Sequence, residues 1–294
     1  MHRRDFLRAA GAGLTLGAMS ASAPFRLHAA QPTAAGSLSF GVVTDVHYAQ
    51  IPPRGTRYYD KSLAKLQQAV GALRKHSPAF IIELGDLIDA DPNRKDDAQY
   101  AQAARQALET FPGPRYYVLG NHCVTVLTKQ QFMDACGMQR SYYSFDSGPY
   151  HGVVLDACFT RDEAPYQPGK FDWKDSWIPA EQRQWLVEDL AQAKGRPALI
   201  FVHQNLHDET RNCGIKNAPE VRKILEQAGN VLAVFQGHEH VGAYACIQGI
   251  HYITFRGLIE GSDLNSNAYS LVTVEGPDRL RVEGFGKQPH LLIR

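Results

Sequence analysis

Five apolar runs along the chain each end in residues of the ligand type. The first, Phe40 to Val43, leads directly into Asp45 and His47. A Val-rich run of this length, bounded by Gly and a polar turn, reads as a strand over Phe40 to Tyr48 that is covered on both faces. Ligands collect at the carboxyl ends of such strands. Asp45 and His47 share side-chain parity, so a strand would turn both toward one point. The same design recurs at Phe80 to Asp86, Tyr116 to His122, Ala198 to His203 and Val231 to His240.

Helical spacing fills the gaps between these runs. Leu63, Leu66, Val70 and Leu73 predict an amphipathic helix over Asp60 to His76. Further helices are expected over about Asp96 to Thr110, Lys129 to Ala135, from Pro179 through Trp185, and Pro219 to Gln227. Ser141 to Phe145 and Tyr150 to Asp156 alternate around a Gly-Pro turn and predict a hairpin. The tail turns to β, with strands expected over Gly242 to Ile247, His251 to Phe255, Tyr269 to Val274 and Leu280 to Gly284. A βαβαβα half and a hairpin-rich half imply an α/β fold of two facing mixed sheets flanked by helices. Residues 159 to 179 interrupt the pattern with Tyr166, Phe171, Trp173 and Trp177 among prolines, and a loop of that length in a compact domain is usually functional.

Composition narrows the class. With 294 residues and 44% hydrophobic content, the chain can bury one large core, and no linker suggests a second domain. Residues 1 to 30 stand apart. His2 to Arg8 resembles a twin-arginine export signal, followed by an apolar stretch from Ala9 to Met19 that is too short to anchor in a bilayer. We therefore expect a signal peptide over residues 1 to 30, a catalytic domain over 31 to 294, passage through the twin-arginine machinery and a periplasmic or secreted product. The leader carries four arginines against one aspartate, so removing it takes the formal charge from +1 to −2. No basic field then argues for nucleic acid. Five scattered cysteines do not define the fold.

Collected from the strand ends, Asp45, His47, Asp86, Asn121, His203, His238 and His240 are too many donors for one ion. They suit two ions about 3.5 to 4 Å apart, sharing a carboxylate. Imidazole, carboxylate and amide together fit Mn, Fe, Zn or Co better than Ca or Mg.

The ordered motifs Asp45-x-His47, Gly85-Asp86, Gly120-Asn121-His122, His203 and Gly237-His238-x-His240 resemble the calcineurin-like metallophosphoesterase family across about residues 40 to 240. The resemblance implies a four-layer αββα sandwich and a di-metal phosphoesterase acting through a metal-bridging hydroxide. Asp86 would bridge the ions. Asp45, His47 and His240 would complete one site, and Asn121, His203 and His238 the other. His122 would be the catalytic proton donor. The family usually places an acid after the Asn-His pair to orient that histidine; here Cys123 stands there, and a less efficient His122 is the expectation.

A narrower resemblance covers residues 38 to 294. Arg57-Tyr58-Tyr59, Gly169-Lys-Phe171, Gln182 to Leu186, Phe255 to Glu260 and Gly284 to Pro289 are similar to the manganese-dependent ADP-ribose and CDP-alcohol diphosphatases. This favours Mn, and hydrolysis of nucleoside diphosphate-linked small molecules, although His47 departs from a Gln expected in several animal members. Arg57, Tyr58, Tyr59, Trp173 and Trp177 are the candidate substrate contacts. The alternatives are a broad-range phosphomonoesterase or phosphodiesterase and, from another class, a metal-binding protein with a relic site. Asp89 fits either a position behind the metals or a helix cap.

Overall fold

The computed structural model describes residues 36–90, 97–276 and 279–293. The export signal expected over residues 1–30 lies outside the described residues. Twelve strands among the described residues form two six-stranded sheets.

The first sheet grows around β1 (Ser37–Val43). On one side β1 pairs in parallel with β2 (Ile81–Glu83), which pairs in parallel with β3 (Arg115–Tyr117). On the other it meets β10 (Ala268–Glu275) antiparallel, followed by β11 (Leu280–Gly286) and β12 (Leu291–Ile293). The second sheet runs β4 (Tyr143–Ser147), β5 (Tyr150–Val154), β6 (Ala198–Phe201), β7 (Val231–Gln236), β9 (Ile250–Arg256) and β8 (Val241–Ile247). Its middle strands β5, β6, β7 and β9 are parallel.

Three apolar clusters show the layering. Between the sheets, Phe40, Phe80, Phe201 and Phe235 interlock; Phe40 stacks on Phe80 at 4.8 Å and meets Phe235 edge-on at 5.3 Å. Such pairs contribute about 0.5–1.5 kcal/mol beyond burial. Outside the first sheet lie α1 (Ser62–Leu73), α2 (Asp97–Glu109) and α3 (Lys129–Cys136); outside the second lie α4 (Ala180–Gln192) and α5 (Ala218–Ala228). The result is the αββα sandwich the sequence implied.

Boundaries follow local chemistry. A capping box of Thr128 and Gln131 starts α3, and Gly137 in the left-handed region ends it. Helix α1 buries Leu66, Ala69, Val70 and Leu73, and its buried face also carries Lys65. The two sheets do not divide the chain into an N-terminal and a C-terminal half as the pattern implied. The strands β10 to β12 cross back to flank β1, because β1 presents a free edge that only an antiparallel partner had left to fill. Strand β12 had no signal of its own at three residues.

Candidate metal centre

The carboxyl ends of β1, β2, β3, β6 and β7 converge. Ladder pairing of β1 stops at Val43, and Asp45 and His47 then adopt positive φ (52° and 46°). Strand parity is therefore not what aims them at one point; a left-handed turn does so. Asp86 and His238 share that conformation, so four of the eight described non-glycine residues with positive φ belong to this cluster. Such backbone costs on the order of 1–3 kcal/mol per residue and persists where the surroundings over-determine it. Glycine makes the crowding possible. A Cβ at Gly120 would fall on the Asp86 carboxylate, and one at Gly85 would lie 2.6 Å from His203 Nδ1.

One donor group comprises Asp45, His47 and His240. His47 Nδ1 lies 3.2 Å from Asp89 Oδ2, and His240 Nδ1 lies 2.6 Å from Glu260 Oε1. A carboxylate only accepts, so each ring places a proton on Nδ1 and turns Nε2 inward, the nitrogen left to ligate a cation; before a cation binds, burial pushes the His240 pKa down but Asp45 and Glu260 outweigh it and raise it to about 9. Those two Nε2 atoms sit 3.2 Å apart, with Asp45 Oδ1 at 3.2 Å from His240 and 3.7 Å from His47. A second group comprises Asp86, His203 and His238, and a third, His47, Asp89 and His122, adjoins the first through His47. His203 Nδ1 donates to the Leu84 carbonyl at 2.8 Å, leaving Nε2 facing Asp86 Oδ2 at 3.0 Å without hydrogen-bond alignment. Asn121 Oδ1, His203 Nε2 and His238 Nε2 are buried with no hydrogen-bond partner. Asp86 Oδ2 is also 3.7 Å from His47 Nε2, so this carboxylate touches both groups.

Converging lone pairs and orphaned buried donors and acceptors are costly unless a cation neutralises them. Burial pushes Asp45 and Asp86 up, but imidazoles outweigh it: His240 and His47 hold Asp45 well below the usual carboxylate range, and His203 and His122 do the same for Asp86. Burial and the neighbouring His203 push His238 down to about 3, which leaves it neutral and able to ligate. The donor set fits two divalent ions.

His122 lies beside the cluster. Its backbone N–H donates to Asp86 Oδ1 at 2.8 Å, and its ring meets His47 edge-on at 4.6 Å. Asp89 Oδ1 sits 3.2 Å from His122 Nδ1, while its other oxygen faces His47. Burial opposes it, yet Asp86 and Asp89 raise the His122 pKa. Cys123 stands where an orienting acid was expected, and the carboxylate that approaches His122 Nδ1 is Asp89, at 3.2 Å without hydrogen-bond alignment. Cys123 instead packs in the core, where burial pushes its thiol far up.

The candidate substrate residues divide. Trp173 is 37% exposed and meets His238 edge-on at 5.5 Å. Trp177 donates to Asp175 Oδ1 at 2.6 Å, which fixes the loop it sits on. Tyr166 is buried and stacks on Phe171 at 4.1 Å. Tyr59 is only 2% exposed within the core, so a direct substrate contact is corrected to packing. Arg57 stands 4.0 Å from Glu260. Beside His240 a cavity of about 550 Å³ is bounded by Thr56, Tyr58, Arg256, Glu260, Ser266 and Lys287. The sequence singled out the runs Phe255 to Glu260 and Gly284 to Pro289 by resemblance without giving Arg256, Glu260 or Lys287 a role of its own; the fold supplies it by bringing them in from the end of β9 and past β11.

The calcineurin-like phosphoesterase model matches residues 38–242. Among curated relatives, a manganese-dependent ADP-ribose/CDP-alcohol diphosphatase of Oryza sativa is 28% identical over 85% of this chain and 91% of its own. The protein of the same name from Arabidopsis thaliana is 26% identical over 84% and 96%. Among solved structures, a dimetal phosphatase from Danio rerio superposes with a TM-score of 0.75 at 23% identity, covering 87% of this chain and 98% of that one.

Proposed function

We propose a substrate and a division of labour from one premise: the chain belongs to the calcineurin-like phosphoesterase family. It is a di-metal phosphoesterase. Its substrate, we infer, is a nucleoside diphosphate linked to a small alcohol or sugar, of the ADP-ribose or CDP-alcohol type, with Mn²⁺ as the preferred ion. Two observations support this: relatives of that name align over nearly the whole described chain, and a cavity opens beside His240 while the part-exposed Trp173 stands against His238.

Asp45, His47 and His240 would hold one ion, and Asn121, His203 and His238 the other, with Asp86 shared. Two divalent ions there would supply Lewis acidity toward the phosphoryl oxygens and the attacking water. The protein's own contributions are separate. Asp89 and Glu260 fix the His47 and His240 rings from behind, so the donors need no reorganisation. His122, raised in pKa and held by Asp89, delivers a proton to the leaving oxygen. Arg256 and Lys287 make no ion pair among the described residues and place positive charge on the cavity wall, suited to the second phosphate. Trp173 offers a ring face to a nucleobase beside His238.

The test is a panel of ADP-ribose, a CDP-alcohol, a cyclic nucleotide, an aryl monophosphate and an aryl diester, assayed with Mn²⁺ after chelation. Preference for the diphosphates, releasing nucleoside monophosphate, and a selective rise of about 3- to 10-fold in KM for them in Trp173→Ala would support the reading. An equal rate on the aryl monophosphate would sink it in favour of a broad-range phosphomonoesterase. Export through the twin-arginine pathway rests on the leader's paired arginines alone; replacing Arg3 and Arg4 by lysine should retain the product inside the cell, and unchanged secretion would reject that route.

A further inference from the structure

Lysine on the buried face of α1 is out of place by composition. Its neighbours on that face, Leu66, Ala69, Val70 and Leu73, are apolar, and Lys65 is as fully enclosed as they are. An ammonium taken out of water must have its donors satisfied by hydrogen bonds or the helix would be destabilised by several kcal/mol. All three of its donors are used. Nζ donates to the carbonyls of Leu258, Glu260 and Gly261 at 3.2, 2.8 and 2.6 Å. The three acceptors belong to one short loop after β9. The same turn of α1 is tied again from its backbone, since Asn267 Nδ2 donates to the Lys65 carbonyl at 2.8 Å.

That loop is a junction. Leu258 N–H donates to the Thr44 carbonyl and Ile259 N–H to the Asp45 carbonyl, so it is stitched to the tip of β1. Tyr58 N–H donates to the Ile259 carbonyl and Gly261 N–H to that of Thr56, so it also carries the wall of the cavity. From its centre the Glu260 carboxylate reaches His240 Nδ1 at 2.6 Å. Burial pushes Lys65 down to about 8, with Asp263 and Glu260 opposing, so it remains cationic at neutral pH.

We propose that Lys65 is a positioning residue for the His240 half of the centre: its ammonium fixes the 258–261 loop, the loop fixes Glu260, and Glu260 fixes the ring and tautomer with which His240 presents Nε2. The proposal rests on the assignment of His240 as a ligand of one of two ions. It predicts asymmetry. Through Glu260 the Lys65-held loop reaches a ligand side chain directly only at His240; its link to His238 is indirect, through the Asp45 backbone that Ile259 N–H holds and the Asp45 carboxylate that accepts from His238 N–H, while His203 is held by the Leu84 carbonyl.

The experiment is Mn²⁺ titration calorimetry on chelator-stripped full-length protein, with thermal unfolding run alongside. Wild type should bind two ions. Lys65→Met should weaken one site by tenfold or more while leaving the other within about twofold, the range expected when a support behind a ligand is lost. Glu260→Ala should weaken the same site, and Lys65→Met combined with Glu260→Ala should be no worse than the more severe single variant, because both cut one chain of contacts. Should Lys65→Met not fold, Lys65→Gln, whose amide still reaches one carbonyl, is read in its place. Two sites in wild type with both weakened equally, or neither weakened, would overturn the proposal and leave the metal assignment standing. Wild type that binds no Mn²⁺ would overturn the metal assignment itself, and this proposal with it.

Discussion

Two clusters of histidine and carboxylate lie at opposite ends of the second sheet, and they differ in how they close. At the amino end of β5, His151 Nδ1 meets Asp146 Oδ1 and its Nε2 meets Asp189 Oδ2, both at 2.8 Å. Arg196 takes up Asp146 at 2.6 Å, and Ser144 donates to the other Asp189 oxygen at 2.6 Å. Every strong group there has a partner. At the carboxyl ends of β6 and β7, by contrast, lone pairs face each other, buried atoms of Asn121, His203 and His238 have no partner, and the backbone is held in left-handed turns. A closed network fastens β4 and β5 to α4. An open one, left with converging acceptors, is stable only with a cation, and that is what marks it as the reacting centre.

Exchanging the two centres' roles by mutation gives the largest expected effect. Asp86→Asn removes the carboxylate that touches both donor groups, and kcat/KM should fall by about 10³ or more with both Mn²⁺ sites impaired. Asp189→Ala, in the closed network, should leave kcat within about twofold and instead lower stability by about 1–3 kcal/mol, the cost of orphaning a buried partner. Steady-state rates and urea midpoints on the pair decide the matter. A near-normal rate for Asp86→Asn, or a collapsed rate for Asp189→Ala, would erase the distinction.

The next effect sharpens it within the open cluster. His122→Ala should keep two Mn²⁺ sites and lower kcat by about 10²- to 10⁴-fold if, as proposed, its ring protonates the leaving oxygen and does not ligate an ion. Asp89→Asn should fall between, at about 10- to 100-fold, since Asp89 serves both His122 and His47. Loss of an ion in His122→Ala would show that the ring is itself a ligand.

What was legible in the chain was whatever repeats along it. Five strand tips bearing Asp45, Asp86, Asn121, His203 and His238 could be read because apolar run and ligand are adjacent. Asp89 was visible as a candidate, but only folding shows its two oxygens reaching two different histidines. Tyr59 illustrates the reverse error: its neighbour Tyr58 lines the cavity, yet a short 3-10 turn at Tyr59–Lys61 swings its own ring into the core. Lys65 was illegible for a stronger reason. A lysine at a helical position ordinarily reads as solvated, and the acceptors that permit its burial lie 193 or more residues away. The return of β10 to β1 was hidden likewise, since hairpin spacing specifies a partner strand but not the sheet that receives the pair.

The smallest effect concerns pH and tests the claim that the His151 network is closed for fastening alone. The hydrogen bond with Asp189 raises the His151 pKa, burial opposes it, and Asp146 adds to the rise. Asp146 is itself lowered, first by Arg196 and then by His151, so it stays ionised throughout the range in which His151 titrates. A group whose folded pKa is raised contributes fully below its unfolded value of about 6.5, and that contribution disappears as pH rises through the folded value. The stability difference between wild type and His151→Gln should therefore be largest near pH 5.5 to 6 and shrink by about 1 kcal/mol toward pH 9, a size discounted for partial solvent screening of Asp146. Urea unfolding across that range measures it, and kcat for the variant should track wild type at every pH. A constant difference would mean that His151 is neutral in the fold and donates through one nitrogen only, and the contrast with the open cluster would then rest on the orphaned atoms at the strand tips rather than on charge.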